Sequence, residues 1–165
     1  IDLAQALELA YPGRFELIAK HDRFKTATII FKADRNREVD LSTARTEFYE
    51  FPAALPTVEA SRLEHDLFRR DFTINALALA LNDELNGFVI DFFNGVNDIE
   101  SKLIRVLHPF SFIEDPTRII RAVRFASRLG FTIEEKTRQQ AQRAIAMGVF
   151  DSLGGFRLKE ELRIL

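Results

Sequence analysis

The sequence predicts an α+β chain in two parts, from three observations. Strand patterns and tight-turn signals are confined to about residues 1–95, and helical periods alone run through 96–165. The 165 residues suffice for one good core or two small ones. Phe is unusually common, at 16 residues, so there is ample apolar volume to fill them.

Asp2 can cap a first helix, in which Leu3, Ala6, Leu7 and Ala10 recur at helical spacing, and Tyr11-Pro12-Gly13 stops it. Phe15–Ala19 and Thr26–Phe31 read as strands, the second rich in β-branched residues. Asp34–Arg37 reads as a polar turn and Glu38–Leu41 as a short strand. Phe51–Pro56 carries two prolines and no period, so it reads as a loop. Arg62–Leu81 reads as helical, broken or bent near Arg70–Phe72. Asn86-Gly87 marks a turn, and Phe88–Phe93 a last strand before Asn94-Gly95. Beyond it, helices are expected from Asp115-Pro116 to about Gly130, over Glu134–Met147 and over Phe156–Leu165.

A net charge of −2 excludes a globally basic nucleic-acid binder, so any polyanion site must come from locally clustered arginines. With no Cys, disulfides and thiolate metal sites are excluded. His21, His65 and His108 are scattered and are assigned no metal role. No apolar run approaches the ~18 residues of a membrane span, and no signal-peptide pattern opens the chain. A soluble, cytoplasmic protein without a membrane partner is expected. Because Ile1 and Leu165 both adjoin helical patterns, the chain is expected to be a piece of a longer one.

Three constellations could carry chemistry. The run Glu114-Asp115-Pro116-Thr117-Arg118-Ile119-Ile120-Arg121 is first a helix start, since Asp favours the N-cap and Pro the first helical position. Beyond that start, Arg118, Arg121, Arg124 and Arg128 fall on one side of the helix, and Ile119, Ala122, Val123, Ala126 and Leu129 on the other. Such an arginine stripe is costly unless something negative faces it. Asp115 and Arg118 lie three residues apart and offer an acceptor beside donors. Cytosine and adenine each show an exocyclic amine next to a ring-nitrogen acceptor, and uracil and guanine show the reverse. An Asp–Arg pair would therefore accept C and A and leave U and G with unpaired polar groups, each costing about 1–3 kcal/mol.

The second constellation is Arg69-Arg70-Asp71-Phe72-Thr73-Ile74-Asn75. Either Asp71 caps a helix and the arginines are solvated, or Arg70 meets phosphate while Asp71 or Asn75 meets a ribose hydroxyl. The third is Val39-Asp40-Leu41. Either Asp40 is an edge-strand carboxylate facing solvent, or it joins other carboxylates around Mg²⁺ in a phosphoryl-transfer site.

In order along the chain, VDLSTARTEFY (39–49), RRDFTINALA (69–78), IDFFNGVND (90–98), SFIEDPTRIIRAVRFASRLGF (111–131) and FRLKEEL (156–162) resemble the class II tRNA nucleotidyltransferases of the bacterial poly(A) polymerase and CCA-adding family. The resemblance covers nearly the whole chain. It implies part of a polymerase-β-like nucleotidyltransferase head over residues 1–95, followed by an all-helical neck over 96–165. It places Arg70, Asp71 and Asn75 on the family's ribose and triphosphate motif, and Gly95 and Asp98 on its head-to-neck hinge. Asp115 and Arg118 fall on its amino-acid template for C and A, and Arg121 and Arg124 on its triphosphate contacts. Arg157 and Glu161 fall on a helix that braces the template, and Asp40 where a third metal carboxylate can stand.

The implied activity is addition of C and/or A from CTP or ATP to the 3′ end of tRNA without a nucleic-acid template, with Mg²⁺ expected for the full-length enzyme. Poly(A) polymerase activity or A-only addition is the alternative on the same framework, and a non-catalytic nucleotide- or RNA-binding domain the alternative of another class. The family's Gly-Gly-x-Val-Arg-Asp loop and Asp-x-Asp pair do not occur in this sequence, and Ile1-Asp2-Leu3 is not that pair. The piece is therefore expected to be inactive alone.

Overall fold

The computed structural model describes residues 2–22, 25–48, 57–153 and 155–163. They group into two compact units, Ile1–Thr46 with Val58–Arg62, and Glu47–Thr57 with Leu63–Leu165.

In the first unit, helix α1 (Asp2–Ala10) is followed by strands β1 (Phe15–His21), β2 (Thr26–Phe31) and β3 (Asp34–Ser42). They form one antiparallel sheet in the order β1-β2-β3. The β-branched central strand supplies buried Ala27 and Ile29, which pack with Ala4 of α1 and with Leu7, Phe15, Leu17 and Leu41. The polar stretch Asp34–Arg37 is strand rather than the expected turn. The reversal falls at Lys32-Ala33, and Asp34 already pairs with Phe31. Its polarity reflects an exposed edge, where Arg35 meets Glu16 at 3.0 Å and Arg37 meets Asp34 at 3.3 Å. Strands β4 (Arg45–Phe48) and β5 (Thr57–Ala60), which the sequence did not signal, pair as a two-stranded sheet. The expected loop Phe51–Pro56 and the side chain of Asp2 lie outside the described residues.

The second unit begins with α2 (Leu63–Phe68), a 3₁₀ turn at Thr73–Asn75 and the hairpin β6 (Ala78–Leu79)–β7 (Val89–Ile90). It continues with α3 (Gly95–Glu100), β8 (Leu103–Ile104), α4 (Ser111–Glu114), α5 (Thr117–Leu129), β9 (Thr132–Ile133), α6 (Glu135–Ala146), a second 3₁₀ turn at Val149–Ser152 and α7 (Gly155–Arg163).

The expected helix over 62–81 therefore stops at Phe68. From Ala76 the alternation of Ala and Leu acts with period two. Ala78 pairs with Ile90 and Leu79 with Val89, so a non-local partner overrides the helix propensity of Ala and Leu. Gly87, at φ +84°, closes that hairpin through its N–H to the Ala80 carbonyl at 2.9 Å. The expected strand Phe88–Phe93 is cut short because Asp91 turns the chain into α3, accepting from the N–H groups of Phe93, Gly95 and Val96. Burial raises the Asp91 pKa, but these backbone donors outweigh it and hold the carboxyl below its ordinary value.

Residues 96–165 are not purely helical, since β8 and β9 pair in parallel. Two-residue strands are too short to show a period. The α+β class stands. The core of this unit joins Phe72, Ile104, Val106, Phe112, Ala122, Ala144 and Val149. No described helix is long and apolar enough to cross a membrane.

Candidate functional site

A cleft of about 580 Å³ opens in the second unit, lined by Arg69, Arg70, Asp71, Asn75, Asp115, Arg118, Arg121 and Phe125. Its floor is the segment between α2 and the 3₁₀ turn. Phe72 is fully buried and bridges to Val106, and the Thr73 N–H donates to the Arg105 carbonyl at 2.9 Å. Both contacts hold this segment in place. Asp71 does not cap a long helix. Its Oδ1 accepts from the Phe72 N–H at 2.8 Å and from Asn75 Nδ2 at 3.0 Å, and its Oδ2 accepts from Nε and Nη2 of Arg121. Four accepted bonds exhaust the usual capacity of a carboxylate. Asn75 has no partner for its side-chain oxygen among the described residues.

The opposite wall is built by Asp115, between α4 and α5, and by Arg118, Arg121 and Phe125 of α5. Asp115 acts as the helix-start residue the sequence suggests: its Oδ1 accepts from the Thr117 N–H at 3.1 Å and the Thr117 hydroxyl at 2.7 Å. Arg157 of α7 reaches the same oxygen at 2.9 Å. Asp115 Oδ2 has no partner among the described residues. Arg118 is 6 % exposed. Its guanidinium donates to the Ser111 hydroxyl at 2.8 Å and to the Arg69 carbonyl at 2.6 Å, with a longer contact to the Ser111 carbonyl at 3.5 Å. Asp115 and Arg118 thus line one cleft without their side chains pairing with each other, and at least two of Arg118's five N–H groups remain beyond these bonds.

The rest of the arginine stripe is neutralised by acids from distant segments. Arg121 meets Asp71 and also Glu161 at 3.4 Å, and Arg124 meets Glu161 at 2.7 Å. Burial lowers the Arg121 pKa, but Asp71 and Glu161 more than reverse this and raise it above the ordinary arginine value. Arg128 is exposed at the end of α5. Arg157 and Glu161 therefore contact α5 and its start from α7, Arg157 at Asp115 and Glu161 at the two arginines.

Gly95 and Asp98 stand behind the floor. A Cβ on Gly95 would lie 2.3 Å from the Thr73 carbonyl oxygen, so only glycine fits there. Asp98, 1 % exposed, accepts from the Thr73 hydroxyl at 2.7 Å and from Arg105 Nε at 3.0 Å. Asp40 lies on β3 in the first unit and accepts from the Thr28 hydroxyl at 2.6 Å. Among the described residues no three His, Cys, Asp or Glu side chains converge as a metal site.

Arg69, the first residue of the second constellation, joins the site, while Phe125, Asp66 and Ser111 enter it without having been singled out in the sequence. Arg69 and Phe125 line the cleft, whereas Arg124 does not. Phe125 meets buried Phe72 edge-to-face at 5.8 Å, and the guanidinium carbons of Arg121 and Arg124 each lie 5.6 Å from its ring centre. Buried Asp66 holds Arg69 at 2.8 Å and Arg70 at 3.2 Å. Its spacing three and four residues before them was a readable clue. Ser111 gave none, because its partner is seven positions away.

The chain matches the poly A polymerase head domain family over residues 4–105. It is 50% identical over 148 residues to the A-adding tRNA nucleotidyltransferase of Geobacter sulfurreducens, covering 90% of this chain and 17% of that protein. A solved CCA-adding enzyme in an apo form superposes with a TM-score of 0.89 at 45% identity, covering 98% of this chain and 37% of the other. A tRNA nucleotidyltransferase complexed with a primer tRNA and an incoming ATP analog superposes at 0.84 with 38% identity, covering 99% of this chain and 43% of the other. The chain spans only a fraction of the length of each relative, yet it matches them through the segments that build the cleft, and it belongs to the poly A polymerase and tRNA nucleotidyltransferase family.

Proposed function

We propose that the full-length protein carrying this chain adds A, C or both from ATP or CTP to the 3′ end of tRNA without a nucleic-acid template. The observation that supports this most is the cleft wall where an open carboxylate oxygen of Asp115 stands beside the fixed guanidinium of Arg118. An acceptor next to a donor complements the amine and ring nitrogen that C and A share. In the proposed reaction the tRNA 3′-hydroxyl attacks the α-phosphate, a new phosphodiester forms and pyrophosphate leaves. Arg70 and Arg121 take the triphosphate, with Arg124 supporting from behind Phe125. Asn75 is better suited than Asp71 to the ribose hydroxyl, because Asp71 is saturated by the chain itself. Gly95, Asp98, Arg157 and Glu161 hold these groups in place.

The family reading divides the chain into part of the head at 1–95 and a neck at 96–165; the head-domain match over residues 4–105 supports a head in the first part and runs ten residues past that boundary. The family also implies Mg²⁺. Asp40, bonded to Thr28 and without converging carboxylates among the described residues, does not make such a site by itself. The chain's own residues thus bind and select the nucleotide. The test is incubation of the full-length protein with tRNA ending before CCA or ending in CC, with each NTP supplied singly. Extension with ATP or CTP and not with UTP or GTP is expected. Extension with all four alike, or with none, overturns the reading.

A further inference from the structure

We propose that Ser111 is a positioning residue that sets selectivity between ATP and CTP, by locking Arg118 to a single base size and favouring ATP. The inference rests on the function proposed above. C and A show the same amine-and-acceptor edge, so the Asp115–Arg118 pair separates them from U and G but not from each other. They differ in reach, because the six-membered ring of a purine lies farther from the ribose than that of a pyrimidine. A site that reads both edges with one pair must let the base or the reading side chains shift. A site whose reading side chains are fixed suits one base.

Arg118 is fixed. It is buried, and its two terminal nitrogens are held from different segments, one by the Ser111 hydroxyl at 2.8 Å and the other by the Arg69 carbonyl at 2.6 Å. Ser111 is itself buried and held. It has no exposed surface, its N–H donates to the His108 carbonyl at 3.2 Å, and the next residue is Phe112 of the core. The Arg69 carbonyl belongs to the backbone and is present whatever the side chains are. The Ser111 carbonyl, a longer contact at 3.5 Å, is backbone as well. The Ser111 hydroxyl is therefore the one side-chain hydrogen bond to Arg118 among the described residues, and the short contact that a substitution can remove. ATP is the favoured base because of the likeness to an A-adding enzyme.

The experiment measures kcat/KM for ATP and CTP separately, with the full-length protein and tRNA ending in CC or in C. Wild type is expected to prefer ATP. Ser111→Ala should raise the CTP-to-ATP ratio by roughly tenfold, the equivalent of one hydrogen bond to a charged group. Ser111→Thr, which keeps the hydroxyl, should keep the wild-type ratio. If the alanine variant does not fold, Ser111→Cys supplies the same readout, since a thiol fills the space but accepts weakly. A merely structural role would lower both values together, so an unchanged ratio in a folded Ala or Cys variant overturns the inference. A wild type that uses ATP and CTP equally overturns it as well. A wild type that uses neither overturns the functional reading instead.

Discussion

Arg121 donates from both Nε and Nη2 to a single oxygen, Oδ2, of Asp71, a residue 50 positions earlier in the chain. The pair joins the floor of the cleft to its opposite wall. Asp71 is 9 % exposed at its side chain and Arg121 31 %, so water screens the pair on one side. Asp71→Ala is expected to destabilise the fold by about 1–3 kcal/mol, below the full cost of breaking a buried pair, because Glu161 still serves Arg121. It should weaken ATP and CTP binding alike, since it loosens Asn75 and Arg121, the groups proposed for sugar and phosphate. Urea unfolding and nucleotide titration on the same protein check both. A loss confined to one nucleotide would show that Asp71 reads a base.

Gly95→Ala tests the packing behind the floor. The added methyl would meet the Thr73 carbonyl oxygen at 2.3 Å and Leu77 at 3.2 Å, and a backbone carbonyl cannot rotate away. A cost of about 1–3 kcal/mol is expected. Gly13→Ala is the control, with no neighbour within 4 Å. Thermal unfolding should separate the two, and equal midpoints would count against the described approach of α3 to the 3₁₀ turn.

How far the site could be read from sequence depended on how local its interactions are. Asp115 and Arg118 were legible because a Pro-started helix fixes their spacing and puts them on one side. Thr26–Phe31 was legible as a strand because its β-branched residues show that preference without a partner. The Asp71–Arg121 and Glu161–Arg124 pairs span 50 and 37 residues, and no local pattern announces them. Hence an arginine stripe that looked short of anions is met by two acids from other elements. Ala76–Leu81 misled for the same reason. Its composition favours helix, and pairing with Val89–Ile90 makes strand of Ala78–Leu79 within it.

His108 gives the fold a pH dependence. Its imidazole is mostly buried, stacks on Phe68 at 5.0 Å and lies 3.3 Å from Glu114. Burial, and then the positive charge of Arg118, push its pKa down to about 4. It is therefore neutral near pH 7, and its approach to Glu114 is not an ion pair there. An unfolded histidine protonates near pH 6.5. As pH falls from about 6.5 to 4, the unfolded chain binds a proton that the folded chain does not, so stability is lost. The shift corresponds to roughly 3 kcal/mol at most. His108→Gln should flatten the stability curve across that window and leave the loss below it, where carboxylates such as Asp91 and Glu134 are protonated. Parallel slopes for the two proteins between pH 6.5 and 4 would defeat this assignment.

The sharpest test of the template is Asp115→Asn. Asp115 has two separable duties. Oδ1 accepts from Thr117 and Arg157, while Oδ2 has no partner among the described residues. An asparagine must turn its one acceptor oxygen toward Thr117 and Arg157, since both are donors there. Its NH₂ group then occupies the Oδ2 position. The helix start is kept, so the thermal midpoint should fall little. Asp115→Ala should instead lose about 1 kcal/mol of capping. At the cleft, an acceptor has become a donor. The amine of C or A now faces a donor and loses its partner, while the carbonyl of U or G gains one. Discrimination of C and A over U and G should shrink by about 1–3 kcal/mol per contact in the asparagine variant, and by less in the alanine variant, which removes the partner without supplying the opposite one. Incorporation rates for all four nucleotides, read beside the melting curves, give the answer. A stable asparagine variant that still rejects U and G as wild type does would leave Asp115 a helix-start residue alone.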